Sequence, residues 1–145
     1  MTHCTGPARD ALRRVTLAAL LIALVPACAT RADVSPSVDG ESPAGVAVLY
    51  PAPLDRAFAA AMQAVRQSGL LVVETAADQR FILAEAEMSA MSYGAHVGVH
   101  LTPADQGTLV SVTAKRKMAT NIFTPDYAAR IHSALRFLLP AQARP

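Results

Sequence analysis

The chain from residue 95 to residue 114 reads AHVGVHLTPADQGTLVSVTA, and this stretch decides the fold. Its first part alternates between apolar side chains and His96, Gly98 and His100. Residues 103–107 supply turn-forming Pro, Asp and Gly, and the alternation then resumes up to residue 114. A period of two is typical of a strand that buries one face. The stretch therefore predicts an antiparallel hairpin with its valines inward and its histidines on a polar face.

Three further segments carry strand signals, namely residues 46–50, 70–75 and 80–90. In the last of these, Glu85 and Glu87 fall on the same face, about 7 Å apart along the strand. Two carboxylates so placed could serve as an acid/base pair or a metal site. A solvated sheet face explains them more simply, and we interpret them in that way.

Two helices flank the strands. The first begins near residue 54 and ends at Gly69, a residue type typical of helix C-terminal caps. The second is predicted to have Thr124 as its N-cap and Pro125 at its first helical position, and to end at Pro140. The apolar stripes have helical spacing and consist of Leu54, Phe58, Met62 and Val65 in the first helix and Ile131, Leu135 and Leu138 in the second.

This order, β-α-β-β-β-β-α, predicts an α+β fold in which a small antiparallel sheet of four to five strands carries both helices on one face. Residues 45–139 are enough for one such domain and too few for two. Small residues at Ala84, Ala86 and Ala114 allow close packing of the helices, and they alternatively leave room for a ligand.

The residues that could serve in catalysis or metal binding do not have the spacing of a known motif. His96 and His100 are four residues apart on one strand, so their Cα atoms lie about 13 Å apart and cannot place both rings on one metal. The residue types of nucleophilic catalysis are present without a nucleophile-elbow or metal-binding spacing, at Ser89, Ser92, Ser111, His96, His100 and His132. We therefore predict no enzyme activity, no catalytic residue, no metal and no cofactor.

A basic cluster, Lys115-Arg116-Lys117, follows the last strand. It could contact a phosphate or a lipid headgroup, but three charges at a strand end are more simply a solvated terminus.

The first 27 residues have the three parts of a secretory signal. Arg9, Arg13 and Arg14 supply the basic start, residues 15–27 supply an uncharged apolar segment, and Ala27 is the small residue at the cut. This segment is shorter than the roughly 20 residues that a membrane span requires. Residues 1–27 are therefore predicted to be an export signal.

The end of this signal resembles the lipobox of bacterial lipoproteins. Val25, Ala27 and Cys28 match it, whereas Pro26 stands where a small or aliphatic residue is usual. The resemblance implies that Cys28 receives a diacylglyceryl group and that cleavage occurs before it. A soluble-export cut after Ala29 is the alternative, because residues 27–29 also fit the A-x-A rule.

Residues 28–44 are rich in Ser, Pro and Asp without periodicity, which predicts a flexible tether, and residues 140–145 form a tail. Three of the thirteen basic and one of the eleven acidic residues belong to the leader, so ten of each remain in residues 28–145. This balance argues against a nucleic-acid partner. Of the two cysteines, Cys4 lies in the leader, so a disulfide framework is excluded.

The lipobox followed by this β/α order is similar to short bacterial envelope lipoproteins of unknown function, and distantly to the helix-grip domains of the assembly lipoprotein BamC. The resemblance implies an architecture and no site residue other than Cys28. We expect a non-catalytic, membrane-anchored envelope lipoprotein that binds a protein or the cell wall. The alternative is a carrier of a small amphiphile. Ala29 after the cysteine favours the outer over the inner membrane, with the domain facing the periplasm.

Overall fold

A computed structural model describes residues 28–37, 43–90, 92–120 and 123–140. The predicted leader, residues 1–27, lies outside the described residues. A short 3-10 turn, Arg31–Asp33, precedes the sheet. The other elements, in chain order, are β1 Val46–Tyr50, α1 Leu54–Gln67, β2 Leu71–Ala76, β3 Phe81–Ala86, β4 Ala95–Ala104, β5 Gly107–Arg116 and α2 Tyr127–Leu138.

The five strands form one antiparallel sheet in the order β1-β5-β4-β3-β2. The long hairpin β4–β5 forms its centre, with pairing that runs from Ala95 opposite Arg116 to Ala104 opposite Gly107. The alternation predicted this hairpin, but its turn is tighter than predicted because Pro103 still pairs with Thr108. The α+β class, the element order and the five-stranded sheet are confirmed.

Both helices cover the same face of the sheet, where one continuous apolar core lies. The centre of α1 is made of alanines, and Ala57, Ala61 and Ala64 have no exposed surface. Ala84 and Ala86 of β3 are buried in the same core. The small side chains of α1 let its backbone approach the neighbouring strands closely. Ala114, in contrast, is exposed, so it does not contribute to this interface.

Helix α2 begins two residues later than the sequence predicted. Its N-cap is Asp126, whose Oδ1 accepts a hydrogen bond of 2.9 Å from the backbone N–H of Ala129. Thr124 and Pro125 precede the helix, so the prediction of Thr124 as N-cap was wrong. The carboxylate satisfies an N–H that lacks an intrahelical partner, and its negative charge also suits the helix N-terminus.

We expect Asp126→Ala to lower the free energy of unfolding by about 1 kcal/mol, because an unsatisfied N–H and an unfavourable helix end replace the cap. Thr124→Ala is the matched control and is expected to cost less, since Thr124 is outside the helix. Urea denaturation of both variants measures the difference. Equal losses would contradict the assignment of Asp126 as the cap.

Among the helices in the described ranges, none has the length and apolar content needed to cross a membrane.

Candidate functional site

The face of the sheet opposite the helices is partly covered by the segment 28–37, which had been predicted as part of a flexible tether. Val34 is fully buried there against Phe81 and Leu83. Burying one valine side chain stabilises a fold by roughly 1.5–3 kcal/mol. The structure therefore differs from the prediction in this segment, because a single apolar residue within the polar sequence finds a second, smaller core.

Gly98 makes room for this docking. A Cβ atom at residue 98 would collide with the backbone carbonyl oxygen of Val34 and would approach the Phe81 ring to 3.2 Å. A glycine inside a strand often marks such a close approach of another backbone. The absence of a side chain at Gly98 is thus what allows the segment to lie directly on β4.

His100 holds the same carbonyl group. Its Nε2 lies 3.1 Å from the Val34 oxygen, and because a carbonyl only accepts, Nε2 must carry the proton. The ring also lies beside Phe81, with centroids 4.7 Å apart. His100 is 4% exposed, and its burial lowers the pKa of the ring below the ordinary value near 6.5.

An ion-pair cluster fixes the start of the docked segment. Glu85 accepts hydrogen bonds from Arg31 Nε at 2.6 Å and from Lys117 Nζ at 2.7 Å, one on each carboxylate oxygen. These partners, Lys117 first, hold the pKa of Glu85 below its usual value. The interpretation of Glu85 as a solvated residue was therefore wrong, whereas Glu87 is exposed as predicted.

His96 lies beside this cluster on β4. Its Nδ1 is 3.5 Å from Glu85 Oε1, too far for a good hydrogen bond, and has no hydrogen-bond partner among the described residues. Burial lowers the pKa of His96, although the neighbouring carboxylate opposes this effect. The sequence had placed His96 and His100 on an exposed polar face. Both are buried because the N-terminal segment and its ion pairs cover that face.

His132 is a further buried histidine that the sequence had placed outside the apolar stripe of α2. Its Nε2 lies 2.9 Å from the carbonyl oxygen of Val46, and its Nδ1 lies 3.0 Å from the hydroxyl of Tyr50. Because a carbonyl oxygen only accepts, the ring proton must sit on Nε2. Nδ1 then accepts a hydrogen bond from the Tyr50 hydroxyl. His132 thereby joins α2 to β1, and its burial lowers its pKa. No sequence pattern marked this role.

These three depressed histidine pKa values give the fold an acid sensitivity. A histidine whose pKa is lower in the folded than in the unfolded state stabilises the fold fully above about pH 6.5, and this contribution is lost as the pH falls. We expect the free energy of unfolding to fall between about pH 7.5 and about pH 5.5, measured by urea denaturation. His100→Gln, which keeps an N–H donor near Val34, should reduce this slope. A wild-type stability constant over that interval would contradict the expectation.

The thiol of Cys28 is exposed and forms no disulfide in the described part of the chain. It lies three residues before Arg31, so their Cα atoms are at most about 11 Å apart. Because Arg31 is bound to Glu85, Cys28 is confined near one end of the sheet. We call this the Arg31 end, and it comprises Arg31, Asp33, Glu85 and residues 68–73, 86–90, 92–95, 115–120 and 123–127.

The other residues considered for chemistry are not brought together. Ser89 and Ser92 form an isolated backbone bridge, Ser111 lies opposite His100 in the sheet, and His132 is on the helix side. Within the described ranges, no group of three or more His, Cys, Asp or Glu side chains is placed to hold a metal ion. The N-terminal segment and the Arg31 end are therefore the candidate functional site.

Neither a protein-family model nor a curated protein matches the chain. Among solved structures, it is similar to the adenylate sensor from AMP-activated protein kinase complexed with ATP, with a TM-score of 0.48 and 14% identity over 63% of this chain and 94% of that chain. The same kind of sensor in complex with the ribofuranotide ZMP gives a TM-score of 0.41 and 17% identity, with the same coverage. Since both TM-scores are below 0.5, nothing about binding follows for this chain.

Proposed function

We propose that the protein is a non-catalytic lipoprotein of the bacterial envelope, anchored through acylated Cys28, whose domain binds an envelope protein or the cell wall. The observation that carries the proposal is the position of Cys28. Its thiol is exposed, as a modifying enzyme requires, and a short connection joins it to a turn that is fixed on the sheet.

This geometry changes how the anchor would act. A long flexible tether would let the domain move freely above the membrane surface. Here Arg31 and Val34 are bound to the sheet within six residues of the cysteine. Acyl chains on Cys28 would therefore hold the sheet itself close to the bilayer. Several chains, each contributing about 0.8 kcal/mol per buried methylene, make such an anchor effectively permanent.

Metabolic labelling with a fatty-acid precursor tests the anchor. We expect Cys28→Ala to abolish labelling, because the thiol is the only acceptor that the lipobox resemblance implies. Cys4→Ser is the matched control and should leave labelling unchanged, since Cys4 would be removed with the leader. Mass spectrometry of the mature N-terminus distinguishes the alternative, in which an unmodified chain begins at Thr30. Label that persists in Cys28→Ala would overturn the proposal.

Photo-crosslinking in intact cells tests the binding role. A crosslinker is placed at exposed positions of the sheet and, as a control, at the exposed Phe137 of α2. We expect the sheet positions to give a defined adduct with the envelope partner. This adduct should persist in a Cys28→Ala variant that reaches the envelope. The same adducts from every position, or none, would contradict a specific binding surface.

A further inference from the structure

The Arg31 end carries most of the large apolar side chains that the described part of the fold leaves exposed. Met88 is 71% exposed and Phe123 is 62% exposed, far more than a core residue would be. Monomeric soluble proteins rarely gather many such side chains in one place unless the surface binds something. The exposed set at this end consists of Leu71, Val73, Met88, Tyr93, Met118 and Phe123.

The strand register brings these residues together. Leu71 lies opposite Glu85, while the next residue of β3, Ala86, pairs with Ala95, which in turn pairs with Arg116. The connection from β3 to β4 and the one from β5 to α2 therefore leave the sheet at the same end. Where β2 and β3 reach this end lies an open groove of about 480 Å³. Its lining consists of Leu71, Val73, Ala86, Glu87, Met88 and the Glu85–Lys117 pair.

Charge at this end is balanced. Lys115 and Arg116 stand at the end of β5, and Arg31 and Lys117 are joined to Glu85. The acidic residues of the same region are Asp33, Glu85, Glu87 and Asp126. With four charges of each sign, the end has no strong field for an anionic partner. The long basic side chains nevertheless suit the boundary between lipid headgroups and acyl chains, because they are surrounded by exposed apolar side chains. At that boundary the methylene groups of Lys and Arg contact lipid while their charged groups reach water.

The position of Cys28 selects the occupant of this surface. The cysteine is confined within about 11 Å of Arg31, whose guanidinium is bound to a carboxylate that lines the groove. A lipid on Cys28 would therefore bring the Arg31 end, and not the opposite end with the β4–β5 turn, next to the bilayer.

We propose that the Arg31 end lies against the phospholipid surface, with Met88 and Met118 inserted at the level of the headgroups. The inference rests on the proposed function for the anchor only. Contact is made by apolar side chains and is weakly dependent on salt, because the charges of this end cancel. The domain then has a fixed orientation, with the β4–β5 turn pointing away from the lipid.

The chain contains no tryptophan, so single tryptophans can report depth in the membrane. The tryptophan is introduced by the substitution Met88→Trp or Met118→Trp. Phe137→Trp is the matched control. Phe137 is 85% exposed on α2, near its end at the far side of the domain. Protein processed by the cell and purified from the envelope is reconstituted in phosphatidylcholine vesicles that contain lipids brominated near the headgroup.

We expect the fluorescence at residues 88 and 118 to shift to the blue and to be quenched several-fold more than at residue 137, with little change at high salt. Equal quenching at all three positions would overturn the inference, as would no quenching at residues 88 and 118. So would a dimer, detected by native mass spectrometry, in which the tryptophans at residues 88 and 118 are shielded from an aqueous quencher without lipid.

A second arm separates this inference from the proposed function. A chain that begins at Cys28, produced without the leader so that its thiol stays free, is coupled through that thiol to a maleimide lipid, which supplies an anchor even if the cell attaches none. Quenching at residues 88 and 118 in this arm, together with no cellular labelling, would leave the surface assignment standing and overturn the lipoprotein. Cellular labelling of the protein, without quenching at residues 88 and 118 in either arm, would support the lipoprotein and overturn the surface assignment.

Discussion

Gly98→Val is expected to release the N-terminal segment from the sheet. The added side chain would occupy the place of the Val34 carbonyl and press on Phe81. The segment should yield rather than the central strand, because β4 is hydrogen-bonded on both sides. Loss of the buried Val34 side chain and of the bond to His100 should together cost about 3 kcal/mol in the free energy of unfolding.

Tryptic cleavage after Arg31 gives a direct measurement of the release. We expect faster cleavage in Gly98→Val than in the wild-type protein, together with a lower midpoint in urea. Thr102→Val is the control, since it places the same residue, valine, at an exposed position of the same strand. Unchanged cleavage in Gly98→Val would show that the segment is not held as described.

Ala61→Leu is expected to destabilise the domain by about 1–3 kcal/mol, because a larger side chain must enter a close-packed interface between α1 and the sheet. Ala61 has no exposed surface, whereas Ala59 on the same helix is exposed. Ala59→Leu therefore makes the same chemical change on the solvent side and should be nearly neutral. Urea denaturation compares the two variants.

The same pair of variants addresses the carrier hypothesis. A cavity for an amphiphile between the helices and the sheet would accept a leucine at residue 61 at little cost, and it would lose affinity for a bound lipid. A destabilised Ala61→Leu variant, together with a wild-type protein that retains no lipid in native mass spectrometry, favours the packed core. A fully stable variant would favour the carrier.

The strands and helices were predictable because their signals are local. In β4 and β5 each inward valine is separated from the next by one residue. This period of two is visible in the local sequence and does not depend on contacts with distant parts of the chain. The stripe of α1 is equally local. The start of α2 was misplaced because Thr124-Pro125-Asp126 offers two capping side chains within three residues, and only the final path of the chain selects Asp126.

The candidate site was less predictable because it depends on contacts between distant parts of the chain. Val34 is one apolar residue within a polar segment, and nothing near it in sequence shows that it meets Phe81. Gly98 was the one available signal, since a glycine inside a strand can mark the approach of another backbone. His132 gave no signal, because a histidine outside the apolar stripe of a helix is ordinarily solvated.

The two edge strands of the sheet, β1 and β2, also affect whether neighbouring copies of this protein on one membrane surface could pair with each other. β1 is only five residues long, and the carbonyl of its Val46 is already bound by His132. β2 carries an irregular register between Val72 and Glu74. Short or bulged margins resist the addition of a further strand. We therefore do not expect crowded copies to pair through the edges of their sheets into an extended assembly.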